Sequence, residues 1–405
     1  MTASDRLYAA GGALLAVLPL AMTLANRSSP AVVGLAAAAF LAGRWREDRA
    51  ALKPLLVAPL ATPLGAAALA FLGWSLIGLA WSPFPGLSLR VLSEFLPTLA
   101  AAYLLARLAP GRIPDFAPRL GALCVVLSGA YIAADLAADL AVERVLGRRV
   151  AAFVFNRPAL TLDLVAAPLA LVLWRARHRA SALATLAFGA LGVLRSISGA
   201  AMLGLLAGAA MAGIARLAPA RAAVALAGLG LGLALALAPV EGDILIRLMP
   251  EAAHERLVQS SSRARVAIAR SFGAAVAAEP WLGAGTGTSA RFAQTPVAER
   301  VAPEMRVLLA VGHPHNVFLQ VWAELGLPGA FLAALALMLT LARLAALPTA
   351  ERAVALGLVA GAAAIAFVEH NGWAAWWTAG LGAAICWLRE AGRLAPRATE
   401  TDNPA

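Results

Sequence analysis

Apolar residues run in nearly unbroken stretches along most of this chain, at 7–25, 31–41, 55–81, 89–105, 120–140, 160–174, 182–194, 200–214, 222–239, 317–341, 353–368 and 373–387. As helices rising ~1.5 Å per residue, most of them approach the ~30 Å of a hydrocarbon core, and the period-2 alternation of a barrel strand is absent. The pattern predicts an all-α integral membrane protein of about twelve transmembrane helices, several of them short and tilted or half-buried. The first run, 7–25, has no small-x-small cleavage site before Asn26 and another apolar run follows at once, so it reads as a span and not as a signal peptide. One interval interrupts the pattern: 241–311 is by far the longest stretch without an apolar run, and it precedes the third-last span. The expected organisation is a first bundle at 1–240, a large and mostly helical loop at 241–315, closing spans at 316–388 and a polar tail at 389–405.

Composition sharpens this reading. Of 405 residues, 61% are hydrophobic and 14% charged, well outside the range of soluble domains. The net charge of +11 is almost wholly arginine, Lys53 being the only lysine. Basic clusters at 44–49, at Arg107, Arg112 and Arg119, at 175–179, at Arg216 and Arg221, and at Arg389, Arg393 and Arg397 recur on alternate sides of the spans. The positive-inside bias then puts both termini in the cytoplasm and the large loop on the outer side of the membrane, and it explains these cations without nucleic acid. Cys124 and Cys386 lie within apolar runs and read as small hydrophobes, which supports neither a disulfide framework nor a thiolate metal site.

The arginines that break the inside bias carry the candidate chemistry. Arg144, Arg148, Arg149 and Arg157 crowd the outer loop after Leu140, Arg195 sits in an outer turn, and the large loop adds Arg263 and Arg265. A guanidinium fork binds phosphate oxygens in pairs, so an outer cluster beside the membrane points to a ligand carrying phosphate, such as a lipid diphosphate. For any single arginine, a solvated loop is the simpler reading. At the end of the loop, His313, Pro314, His315 and Asn316 stand directly before an apolar helix, which joins a polar element to a span. Displacing a diphosphate needs a base for the incoming hydroxyl and cations for the leaving charge, and histidine, with a reference pKa of ~6.5, is mostly neutral at physiological pH. His313 and His315 lack a third histidine or a close acid to complete a metal set, so neither metal nor cofactor is expected. Asp135, Asp139, Glu143 and Asp163 offer a rival acid–base set, although pairing with Arg144, Arg148 and Arg149 accounts for them more simply. Glu324 reads as a complement to a helix dipole, Trp373, Trp376 and Trp377 as interface anchors and His370 with Asn371 as a loop pair, with lining the entrance for a polyprenyl chain as the alternative for both groups, and 283–287 as a glycine turn.

Three pieces of the second half resemble the O-antigen ligase and polymerase superfamily of bacterial polysaccharide enzymes. They are HNVFLQVWAELGLPG at 315–329, EPWLGAGTG at 279–287, and Arg265 ahead of that turn; FVFNRPALTLDLVAAPLAL at 153–171 is a weaker fourth. The resemblance implies a metal-independent, inverting transfer of a glycan from undecaprenyl diphosphate to a hydroxyl acceptor at the periplasmic face, the acceptor being lipid A-core in a ligase and another lipid-linked repeat in a polymerase. It assigns the base to His315 and the diphosphate grip to Arg265, while Asn316 would fix the imidazole or an acceptor hydroxyl. His313, Arg263 and one of Arg149, Arg157 and Arg195 would complete the substrate contacts, because the Ser-Arg pair usual in the family reads Ser198-Gly199 here. A polysaccharide or lipid exporter is the rival from another class, disfavoured by the large loop and the absence of internal repeats. Oligomeric state is not specified by any of these features.

Overall fold

The computed structural model describes residues 1–148, 150–256, 261–369 and 371–395. Among these the chain is helical throughout: α1 (Ala3–Leu24), α2 (Ser29–Glu47), α3 (Arg49–Val57), α4 (Pro63–Ile77), α5 (Pro85–Leu108), α6 (Phe116–Ala137), α7 (Ala141–Val145), α8 (Asn156–Arg175), α9 (Arg179–Arg195), α10 (Gly199–Leu217), α11 (Ala220–Ala236), α12 (Glu241–Leu248), α13 (Glu251–Arg256), α14 (Ser262–Ala278), α15 (Pro296–Glu299), α16 (Pro303–Arg306), α17 (Val317–Ala345), α18 (Thr349–Val368) and α19 (Ala375–Arg393). Seven described helices are long and apolar enough to cross a membrane, or eight if α11 and the segment Ala238–Leu248 that contains α12, bent by 53°, make one span. The multi-pass character is thus present, while α2, α4, α9 and α19, which complete the expected twelve, are shorter or carry polar ends.

Two departures from the apolar pattern have local causes. The run 55–81 is divided, because Pro59 and Pro63 interrupt it and Thr62 caps α4 by accepting from Gly65 N at 3.2 Å. The run 120–140 stops at Ala137, since Asp139 and Leu140 take left-handed backbone with φ of 52° and 61°.

The helix α8 is the most enclosed candidate span, packed by α1, α6, α9, α10, α18 and α19. One core gathers Leu15, Leu18, Phe40, Phe155, Leu169 and Trp387 around it. A second joins α11, α14, α17 and α18 through Phe272, Phe292, Leu319 and Leu356, so the loop 241–311 is itself largely helical and seated on the closing helices. The tightest crossing is α10 on α18, where Gly204 and Gly208 face Gly357 and Gly361. A Cβ at Gly357 would stand 2.9 Å from Gly208 O, so the backbones meet with no side chain between them. Gly208→Val should therefore cost roughly 1–3 kcal/mol and lower the thermal midpoint in detergent. Gly213→Ala, on the same helix with nothing within 4 Å of its Cβ, should leave the midpoint unchanged.

Candidate active site

The helix α17 is broken in its first third. Gly326 adopts φ 62° and ψ −163°, so Glu324 and Leu325 lose their onward helical hydrogen bonds and offer carbonyls to other groups. The segment 280–287 fills the gap: Ala284 N donates to Ala323 O at 2.8 Å, Gly285 N to Glu324 O at 3.0 Å and Leu327 N to Pro280 O at 2.8 Å, while Trp74 Nε1 takes Leu325 O at 2.9 Å. Close approach demands the glycines, since a Cβ at Gly326 would lie 2.2 Å from Trp281 O and one at Gly283 2.6 Å from Glu324 C. The Gly-x-Gly segment is thus a plug in a helix break.

The Glu324 side chain, wholly buried, locks that plug. It accepts from Gly287 N at 2.6 Å, Ser289 N at 3.1 Å, Trp373 Nε1 at 2.6 Å and Gln320 Nε2 at 3.0 Å, and from the Ser289 hydroxyl. This corrects two expectations: Glu324 is a buried hub and not a dipole complement, and Trp373 is a core residue, edge-on to Phe95 at 5.3 Å, and not an interface anchor.

Just ahead of α17, the turn 312–316 is held by Asn316. Its Oδ1 caps the helix by accepting from Phe318 N at 2.8 Å and Leu319 N at 3.2 Å, and its Nδ2 donates to the buried Glu241 at 2.5 Å. With Oδ1 and one Nδ2 proton engaged inside the protein and the residue 2% exposed, the Asn316 amide anchors the turn. His315 sits in left-handed backbone at φ 55°, which folds it back on His313: the rings are 4.1 Å apart and His315 N donates to His313 Nδ1 at 3.1 Å.

That bond makes the two histidines unequal. With Nδ1 of His313 accepting, the neutral ring carries its proton on Nε2 and is a donor toward the cavity that it lines. His315 Nδ1 is buried and has no hydrogen-bond partner, so unlike His313 its tautomer is not set by a neighbouring group. Burial, together with the positive charge of Arg265, pushes His315 down to about 4; burial, then the neighbouring His315 and Arg265, do the same to His313 against the opposing pull of Glu369. Both rings are neutral at physiological pH.

A cavity of about 1030 Å³ opens beside this turn at the N-terminal end of α8. Its walls come from the α1–α2 turn (Asn26, Arg27), α5 (Val91, Glu94), the start of α8 (Asn156, Arg157), His313, and the α18–α19 connection (Glu369, Trp373, Trp376). Arg157 lies over the Trp376 ring, 5.3 Å from its centroid, within electrostatic reach of Arg27 and Glu369. Arg265 Nη2 meets Glu369 Oε2 at 3.0 Å, which ties α14 to the end of α18. The structure therefore assembles Arg265, Arg157, His313 and His315 from distant stretches of sequence.

Other expected site residues fall elsewhere. Arg263 is exposed and paired with Glu251, Arg195 is exposed at the end of α9 and does not line the cavity, and Arg149 and His370 lie outside the described residues. Arg148 pairs with Glu143 at 3.5 Å and Arg144 with Asp139 at 3.4 Å, as the simpler reading of those two acids required, whereas Asp135 accepts from Val142 N at 2.7 Å and Asp163 lines a separate, apolar pocket. Among the described residues no group of three or more potential metal ligands occurs. Arg27 and Glu369 went unnoticed in the sequence: Arg27 was one arginine in a short polar turn, and Glu369 followed an apolar span without any spacing to a partner.

Comparison with known families bears on this arrangement. Residues 184–334 match the family model described as O-Antigen ligase, which supports the O-antigen ligase and polymerase superfamily. Members of that family are membrane ligases and polymerases of the glycosyltransferase kind. The match runs from within α9 to within α17, so it includes Arg265, the glycine plug and the histidine turn, while Arg27, Arg157 and Glu369 lie outside it. A comparison with curated proteins gave no match.

Two outcomes follow from the hub and the histidines. Replacing Glu324 by Ala strands Gly287 N, Ser289 N and Trp373 Nε1 in a dry interior and should cost about 3 kcal/mol or more, read as a lower thermal midpoint, with Glu324→Gln milder. Because His313 and His315 sit near 4 when folded and near 6.5 when unfolded, the unfolded chain binds more protons between those values. Their contribution to stability is complete above about 6.5 and is lost as pH falls through about 4, so the midpoint should drop on acidification across that window, less steeply in His313→Gln.

Proposed function

We propose that this protein is an O-antigen ligase, transferring a glycan from undecaprenyl diphosphate to a sugar hydroxyl of lipid A-core at the periplasmic face of the inner membrane. The observation that carries the reading is one cavity at the end of a central membrane helix, lined by Arg157, His313 and Glu369, with Arg265 bonded to Glu369 and His315 packed on His313 behind that lining. In this reading twelve helices cross the membrane, both termini are cytoplasmic, and 241–315 is the periplasmic loop that closes over the cavity.

The chemistry follows from the groups present. The diphosphate of the donor takes the guanidinium forks of Arg157 and Arg265, with Arg27 as a further cation in the cavity wall. The acceptor hydroxyl loses its proton to His315 Nδ1 as its oxygen attacks the anomeric carbon. The bond from that carbon to the phosphate oxygen breaks, and the leaving charge rests on the arginines. His313, with Nε2–H toward the cavity, donates to a donor or acceptor oxygen. Attack opposite the leaving group inverts the anomeric centre, and no metal is needed, since guanidinium groups supply the positive charge. Trp376 offers an apolar face for the first isoprene units or a sugar ring.

A polymerase of the same superfamily would use the same groups with a second lipid-linked repeat as acceptor. A strain lacking the gene, complemented with wild-type or His315→Ala protein, separates the readings. Loss of all polymer-bearing lipopolysaccharide with accumulation of full-length lipid-linked polymer identifies a ligase, whereas survival of single-repeat lipopolysaccharide identifies a polymerase. His315→Ala should lower transfer by about 10²–10⁴-fold without loss of expression or donor transport. Full complementation by this variant would remove His315 from the mechanism.

A further inference from the structure

Glu369 occupies the place where the reading above puts the donor's charge. Its carboxylate bonds Arg265 at 3.0 Å, lines the cavity, and lies within electrostatic reach of Arg157 and His313. The side chains of Arg265 and Glu369 are each 29% exposed, so the pair borders solvent and its partners are exchangeable without unpacking a core. Glu369 is the residue that caps the C-terminal end of α18, its N–H donating to Ile365 O.

A carboxylate in that position has two opposite possible effects on a bound diphosphate. If it only orients Arg265, removing it weakens diphosphate binding, because the guanidinium loses its support. If it competes for Arg265, removing it tightens binding. Geometry favours competition: the described hydrogen bond uses Nη2, one of the atoms that a bidentate phosphate contact requires, and the carboxylate adds a negative charge to the cavity that receives an anion.

We propose that Glu369 is an internal competitor for Arg265, displaced when the donor's diphosphate binds and returning to the guanidinium to expel the lipid diphosphate product. It makes and breaks no bond to the reacting sugar, so it is a residue of product release. The need for one is physical. A site that stabilises a leaving diphosphate with several arginines also holds the product tightly, and a tethered anion that rebinds one arginine lowers that affinity without a large conformational change. The inference rests on the diphosphate-leaving reading of the reaction.

The test uses the full chain in lipid nanodiscs with inorganic pyrophosphate as the probe. Glu369→Gln keeps the side-chain size and removes the charge. It should bind pyrophosphate about tenfold more tightly than wild type, mainly through slower dissociation, and in a transfer assay should lower donor KM and kcat together. Glu369→Asp, which retains the charge, should restore much of the wild-type dissociation rate. Equal or weaker binding by Glu369→Gln would overturn the competitor role while leaving the glycosyl-transfer reading intact. No pyrophosphate binding by the wild type, with Arg265→Ala behaving identically, would overturn both.

Discussion

The break of α17 at Gly326 is the constraint on which the catalytic end of the molecule depends. A continuous helix there would carry its own backbone hydrogen bonds and leave the segment 280–287 with no partners inside a membrane protein, where unpaired amides are costly. By opening the ladder at one residue, the chain turns helix carbonyls into acceptors for the loop, and the Glu324 carboxylate draws the remaining amides and the Trp373 indole into the same node. The direction of the first turns of α17 is fixed in this way, and with it the capped turn that presents the two histidines.

The charged groups are arranged around that fixed turn from four other parts of the chain. Arg27 follows the first helix, Arg157 opens α8, Arg265 projects from α14 and Glu369 ends α18. The left-handed backbone at His315 and the bond from its amide to His313 pack the two rings together and make Nδ1 of His313 an acceptor, which places that ring's proton on Nε2. Two imidazoles 4.1 Å apart beside an arginine are thereby kept from charging together.

Much of this was legible in the sequence, because hydropathy reports directly on which segments seek lipid or a packed interior. The helical membrane architecture, the long helical insertion ahead of the third-last apolar run and the histidine turn all follow from apolar run lengths and from polar residues at run ends. Arg157 and Arg265 were legible as cations on the unexpected side. What was hidden is tertiary. Glu324 lies within an apolar run, and only the break two residues later shows that its carboxylate faces a threaded loop. Asn316 carries a polar amide next to a histidine, and only the buried Glu241, far back in the chain, shows that the amide is spent on anchoring the turn. Arg27 and Glu369 have no spacing that links them to the motif; α2, α8 and α19 bring them to it by packing. Arg195 and Arg263 illustrate the converse, residues near the motif in sequence whose side chains go to solvent or to a local partner.

The way the cavity is walled also bears on biosynthesis. Its lining runs from Asn26 to Trp376, so segments far apart in the chain touch the same space. Until the closing hairpin has inserted, Trp376 is missing from Arg157, Glu369 from Arg265 and Trp373 from Glu324. A C-terminally truncated chain thus carries the arginines and histidines but lacks the walls that Glu369, Trp373 and Trp376 add to the cavity.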